Sequence, residues 1–261
     1  MEIGQVFVLA IVQGLTEFLP ISSSGHLVAA RMLFDIPDAG GNAFDAFLHL
    51  GTLLAVLLYY WRVWWGIGRG LVVNDGEGRD KQELAAKLAI ATVPAAVVGY
   101  LGQNMFGSLL RSSQVVAGGL LLTGIVLLIV DVAARRTATI RRASFGAALF
   151  IGLAQVVALV PGVSRSGMTM AAGRAWGLSR GQAATFSFLL SAPIIAGAGL
   201  ASLLSLTTGN FAVSQLLIGL AVSFLAGLAA IRLLLRLIKR VAFWPFIIYL
   251  FLLSGFLLYV G

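Results

Sequence analysis

The hydrophobic positions of this chain fall in long, nearly unbroken runs, without the alternation that marks a water-facing strand or a half-buried helix. A helix that crosses a bilayer needs about 20 mostly apolar residues. Six segments have that length, near 43–61, 84–102, 114–134, 183–204, 213–233 and 242–260. Two more apolar stretches do not, because polar residues break them. Residues 3–33 are interrupted at Leu19-Pro20-Ile21-Ser22-Ser23-Ser24-Gly25-His26, and residues 145–178 at Val160-Pro161-Gly162-Val163-Ser164-Arg165-Ser166-Gly167. Backbone that leaves the helix at membrane depth must be buried in protein or line a wet cavity. Both stretches therefore read as re-entrant helical hairpins.

The two broken stretches are related. A shift of 142 residues, without gaps, places Gln13 on Gln155, Ser22 on Ser164, Ser24 on Ser166 and Gly25 on Gly167. Identities between apolar segments arise easily by chance, so the Ser-x-Ser-Gly and the glutamine nine residues before it carry the argument for an internal repeat. The expected fold is an all-α polytopic membrane protein in one domain, residues 1–261, with an inverted-topology repeat. Repeat 1 covers about 1–134 and repeat 2 about 145–261, each a re-entrant hairpin plus three transmembrane helices, joined by a basic loop at 135–144.

Composition and charge orient this architecture. Hydrophobic residues make up 59% and charged residues 11%, against roughly 25% charged in soluble domains. The bases gather in the expected loops 62–83, 135–144 and 234–241, whereas the opposite loops 103–113 and 205–212 hold Arg111 alone. Bases mark the cytoplasmic side, so both termini and the first hairpin are expected to face outward. Arg31, at the end of the first hairpin, is a base on the other side. The net charge of +8 is thus accounted for by loops, not by nucleic-acid binding. Cysteine is absent and histidine occurs only at positions 26 and 49, which removes thiolate chemistry and a histidine-rich metal cage. Met1-Glu2-Ile3-Gly4 lacks the basic start of a cleavable leader.

Ionisable residues at membrane depth default to function. Glu17 lies in the first hairpin with Gln13 one turn before it, His26 follows the serine cluster, and Arg165 stands between Ser164 and Ser166. Ser22, Ser23, Ser24 and Gly25 at one tip, and Ser164, Ser166, Gly167 and Thr169 at the other, begin half-helices. Their free N–H groups and positive dipole ends suit an anion, above all a phosphate. A guanidinium matches phosphate oxygens in a fork. A serine becomes a nucleophile with a base beside it, and a carboxylate can be that base or a cation ligand. His49, on an otherwise apolar span, reads as a packing residue. Asp45 reads as structural or accessory, Asp131 as structural, Trp61-Arg62-Val63-Trp64-Trp65 as an interfacial belt, and Asp75-Gly76-Glu77-Gly78 as a solvated loop. Small-residue faces at Ala117-Gly118-Gly119 and Ala196-Gly197-Ala198-Gly199 permit close packing within the chain or in a homodimer.

The stretch Gln13-Gly14-Leu15-Thr16-Glu17-Phe18-Leu19-Pro20-Ile21-Ser22-Ser23-Ser24-Gly25-His26 resembles the first signature of the undecaprenyl-diphosphate phosphatase family, also called the bacitracin-resistance family. Pro161-Gly162-Val163-Ser164-Arg165-Ser166-Gly167 resembles the second, and Phe44-Asp45, Leu50-Gly51-Thr52, Leu237-Ile238-Lys239-Arg240 and Pro245-Phe246 extend the match along essentially the whole chain. The resemblance implies a bacterial inner-membrane enzyme that takes the terminal phosphate from undecaprenyl diphosphate and returns the monophosphate carrier to cell-wall synthesis. It implies a site at Gln13, Glu17, Ser23, His26 and Arg165, and a divalent cation, magnesium or calcium, with Glu17 as main ligand and Gln13 as a weak one. Many members carry glutamate where this chain has Gln13, which takes away one carboxylate. Ser23 would attack phosphorus with His26 or Glu17 accepting its proton, or Glu17 would activate water directly. The site would open outward. Type-2 phosphatidic-acid phosphatases need a histidine after the Ser-Arg pair, and none follows Arg165 here. The competing class is a polyprenyl-phosphate flippase, which would use the same anion site and release no phosphate. A membrane scaffold is a third.

Overall fold

The computed structural model describes residues 1–37, 42–73, 75–102, 112–133, 138–205, 211–238 and 240–260. Arg111 and Lys239 lie outside the described residues, as do most of the loops 103–113 and 205–212. Among the described residues the chain forms α-helices, one short 3-10 turn at Ile140–Arg142 and no strand. The helices are α1 (Ile3–Phe18), α2 (Ser23–Leu33), α3 (Asn42–Tyr59), α4 (Trp61–Val72), α5 (Gly76–Leu101), α6 (Ser113–Ala133), α7 (Phe145–Val157), α8 (Arg165–Ala175), α9 (Arg180–Ser205), α10 (Val213–Leu237) and α11 (Trp244–Val260).

Among the described residues four helices are long and apolar enough to cross a membrane: α5, α6, α9 over Arg180–Gly199, and α10. A fifth candidate is the pair α3 and α4, bent by 74° at Tyr60. The chain is a multi-pass membrane protein. The expected span at 242–260 appears as α11, which has 17 residues and falls among the shorter apolar helices. The stretches 3–33 and 145–178 are broken in the expected places, into α1 and α2 and into α7 and α8.

Two expectations for the basic segment need correction. The segment 62–83 is mostly helix: residues 62–72 belong to α4 and residues 76–83 form the first turns of α5. Trp61, Trp65, Leu71 and Val72 are exposed on α4, and Arg62 and Arg69 share the helix. Indole rings and bases favour the membrane surface, which accounts for a helix that turns away from α3. Asp75 is an N-cap, not part of a loop, and its Oδ1 accepts the Gly78 N–H at 2.6 Å.

Packing is set by small residues. A Cβ built on Gly14 would meet Ala226 at 2.5 Å, so α1 lies tight on α10. One built on Gly152 would meet the Ala91 carbonyl at 2.6 Å, so α7 lies tight on α5. In lipid, where apolar burial gains little, such close approach is a main source of helix association. Asp131 at the end of α6 accepts from Arg180 Nε at 2.7 Å and from the Phe243 N–H at 3.1 Å. It thus ties α6, α9 and the start of α11, as its structural reading expects. Arg31 pairs with Asp45 at 2.7 Å, so the base on the unexpected side has an acidic partner.

Candidate active site

Proline starts the first break and lies inside the second. The ring of Pro20 disfavours helical torsions at the residue before it, and Leu19 is extended at φ −69°, ψ 144°. Ser22 then takes φ +70°, a left-handed torsion that costs a serine about 1–3 kcal/mol and tends to occur at functional sites. Its hydroxyl caps α2 by accepting the Gly25 N–H at 3.3 Å. At the second tip Gly162 takes φ +87° after Pro161, and the Ser164 hydroxyl caps α8 by accepting the Gly167 N–H at 3.1 Å. The two tips hold each other. The Gly162 N–H donates to Ser24 Oγ at 3.4 Å, and Ser166 Oγ donates to the Leu19 carbonyl at 2.8 Å.

Glu17, at the end of α1, is buried at the junction. Arg165 Nη2 of the opposite tip donates to Glu17 Oε1 at 2.5 Å. Ser23 Oγ donates to Oε2 at 2.7 Å, and Gln13 Nε2 donates to the same oxygen at 2.9 Å. His49 Nε2 lies 3.4 Å from Oε2. His49 Nδ1 stands 2.7 Å from the Asp45 carbonyl. A carbonyl only accepts, so Nδ1 carries hydrogen, and Nε2 can donate to Glu17 only when the ring carries both.

These groups border a cavity of about 280 Å³. Its polar wall is Glu17, Ser22, Ser23, Ser24, His49, Ser164, Arg165 and Ser166, and its other walls include Ala95, Gln155, Leu159, Ile194 and Ile195. The first turns of α2 and α8 both open onto it. Their N–H groups have no acceptor within their own helices, so anion-seeking donors arrive from two directions.

Of the expected site residues, Glu17, Ser22, Ser23, Ser24, Ser164, Arg165 and Ser166 line the cavity. Gln13, Gly25, Gly167 and Thr169 stand behind it. Gln13 is wholly buried and props Glu17, and Thr169 bonds Ser187 at 2.7 Å, next to the Ser187 carbonyl that accepts from Arg165 Nη1 at 3.4 Å. His26 turns elsewhere. Its Nδ1 stands 2.7 Å from the Ser22 carbonyl and its Nε2 2.7 Å from the Tyr249 hydroxyl, with the two rings stacked at 5.3 Å. Sequence reasoning set His49 aside and passed over Tyr249. A histidine one turn after Asp45 on an apolar helix was the signal for the first; nothing local signals the second.

A protein-held divalent cation does not fit this donor set. Among the described residues Glu17 is the only carboxylate on the cavity wall, and its two oxygens already meet Arg165, Ser23, Gln13 and His49. Among the described residues no three His, Asp or Glu side chains gather as ligands. Hard cations take six or more oxygens, and a guanidinium beside the only carboxylate repels them.

A multi-pass helical protein that brings a serine, a carboxylate and an arginine together on one cavity has the side chains that phosphate chemistry in a membrane calls for. This chain belongs to the bacitracin resistance protein BacA family, whose model matches residues 6–256. It is 43% identical to an undecaprenyl-diphosphatase of Alcanivorax borkumensis, over 99% of both chains. It is 41% identical to one of Alteromonas mediterranea, over 99% of this chain and 98% of the relative. The undecaprenyl-diphosphatase of Rubrobacter xylanophilus is also 41% identical, over 98% of this chain and 97% of its own length.

Proposed function

We propose that this protein hydrolyses undecaprenyl diphosphate to undecaprenyl phosphate and inorganic phosphate, with Ser23 as nucleophile and Glu17 as its base. The observation that carries this reading is the Ser23 hydroxyl donating to a carboxylate whose other oxygen is held by Arg165. The names of the full-length relatives point to the same reaction.

The diphosphate enters with its terminal phosphoryl group at the two helix N-termini, and Arg165 exchanges part of its hold on Glu17 for phosphate oxygens. Ser23 Oγ attacks the terminal phosphorus as its proton passes to Glu17. The bond from that phosphorus to the bridging oxygen breaks, and undecaprenyl phosphate leaves with the electron pair. Arg165 and the N–H groups stabilise charge on the transferring group. Glu17 passes its proton to the departing phosphate; water then attacks the phosphoserine as a proton of the water passes to Glu17, the bond from phosphorus to Ser23 Oγ breaks, and Glu17 returns that proton to the serine oxygen. His26 is not the base in this scheme, because both its nitrogens are engaged by Ser22 and Tyr249. No step passes through a protein-bound cation. Any cation would arrive on the diphosphate.

The arrangement rests on two re-entrant hairpins that enter from opposite faces of a bacterial inner membrane as halves of an inverted repeat. Several likenesses support this. Both tips have a serine cap three residues before a glycine, and the hydroxyls of each Ser-x-Ser pair lie 3.2 Å apart. The first half-helix packs on α10 of the second half, and α7 packs on α5 of the first. The gathering of bases in a few segments supports an orientation with both termini and the site opening outside.

The test is phosphate release from undecaprenyl diphosphate by purified protein in detergent, with and without chelator. Folded Ser23→Ala, Glu17→Gln and Arg165→Lys are each expected to release phosphate about 100-fold more slowly. Acid quenching with labelled substrate should leave label on Ser23. Full activity in Ser23→Ala would transfer the attack to water. No release by folded wild-type protein would remove the phosphatase reading.

A further inference from the structure

The cavity has two characters. A diphosphate needs the serines, Glu17 and Arg165, yet one wall is built of Ala95, Ala158, Leu159, Ile194 and Ile195. That wall faces the seam between α5 and α7. The helices meet tightly at Ala91, where Gln155 Nε2 donates to the Ala91 carbonyl at 3.4 Å and Gly152 makes its close approach. One and two turns further along α5 stand Ala95 and Gly99. A Cβ on Gly99 would meet only the tips of Leu159, at 3.5 and 3.9 Å. Beyond the Gln155 contact, then, the seam among the described residues is closed by one flexible leucine against small residues.

The other side of the same seam carries a groove of about 610 Å³. Val93, Val97 and Val98 line it from α5, and Leu153, Val157 and Val160 from α7 and the turn after it. The cavity and the groove alternate along the same two stretches: Ala95 faces the cavity and Pro94 the groove, Gln155 and Leu159 face the cavity and Val156 and Val160 the groove. Branched valines hold few rotamers, so the groove has stiff walls. α9 approaches α3 closely at Gly199, where a Cβ would lie 2.5 Å from Leu50.

We propose that the polyisoprenoid chain of the substrate leaves the cavity between α5 and α7, past Leu159 and Gly99, and lies in the valine groove on the membrane face of that seam. The proposal rests on the diphosphatase reading and specifies where its lipid goes. In a bilayer the groove gains little transfer energy, since lipid tails are as apolar as valine. Its contribution is to fix the direction of the first isoprene units, and so to seat the terminal phosphorus against Ser23. Leu159 is the movable part, swinging aside for the chain and closing the cavity behind a departing product.

The test compares two substrates, undecaprenyl diphosphate and geranyl diphosphate, whose much shorter chain depends far less on the groove. Gly99→Leu fills the seam, and Val157→Trp fills the groove from its lipid side. For each, the ratio of kcat/KM on the long substrate to that on the short one is expected to fall about tenfold or more, the scale of steric exclusion from an apolar pocket. Val132→Trp, exposed on α6 away from the groove, should keep the wild-type ratio. If Gly99→Leu does not fold, Val157→Trp decides. An unchanged ratio in a folded groove variant overturns the proposal and leaves the groove to ordinary bilayer lipid. Equal losses on both substrates also overturn it, since the effect would then lie at the phosphate end. A wild-type protein that hydrolyses neither substrate fails the diphosphatase reading itself, and the groove assignment falls with it.

Discussion

Glu17 is surrounded by four side chains of different kinds, and each fixes something different. Ser23 supplies the proton to be moved, Arg165 neutralises the charge, Gln13 orients the carboxylate from behind, and His49 closes the remaining side. His49→Phe puts a somewhat larger ring at the same place and removes both ring nitrogens. Phosphate release is expected to fall by about tenfold or more, because a small displacement of a catalytic group is costly. The melting temperature should stay near wild type, and a thermal shift assay beside the kinetics checks both. Most of these residues were legible beforehand, since a carboxylate, a guanidinium and serines at membrane depth have few bland explanations. His49 was not, because a lone histidine on an apolar helix gives the same pattern whether it packs or touches a carboxylate. Tyr249 reaches His26 from the last helix, a contact that no local spacing encodes.

Helix breaks were the most legible elements and helix directions the least. Pro20 and Pro161, followed by serines, mark the breaks by simple stereochemistry. The turn from α3 into α4 has no proline or glycine at the corner, and the tryptophans and arginines that cause it read equally as loop. Elements also depend on how closely they meet. Gly119 of α6 lies against the second tip, where a Cβ would stand 2.6 Å from the Pro161 carbonyl, whereas Gly118 has nothing within 4 Å. Gly119→Leu should therefore displace the tip that carries Arg165 and abolish phosphate release, with less folded protein recovered. Gly118→Leu should behave as wild type. Size-exclusion profiles and activity side by side check the pair.

For the whole molecule, the distribution of bases predicts the orientation. The chain has no cysteine, so single cysteines report without background. Gly4 and Gly68 are both exposed, with open space where a Cβ would go. In intact cells stripped of the outer barrier, an impermeant maleimide should label Gly4→Cys directly and Gly68→Cys only after permeabilisation. The reverse pattern would turn the molecule over and open the site inward. The shift of 142 residues made the pairing of the two tips legible. The span count was less so, since α11 and the bent α3 and α4 depart from one straight helix per apolar run.

The contact between Glu17 and Arg165 joins residues 148 positions apart, and this separation bears on how the protein is made. At about 5–20 residues per second, a ribosome reaches the arginine on the order of ten seconds or more after the glutamate. Through that interval the carboxylate is already in the insertion machinery with no guanidinium to meet it. The nascent first half must be kept in a wet or sheltered place, or hold its glutamate protonated, until the second half arrives. Truncation after α6 should accordingly yield a poorly inserted fragment for the quality-control proteases, so the moment at which the site is assembled is also the moment at which the chain becomes safe to release into the bilayer.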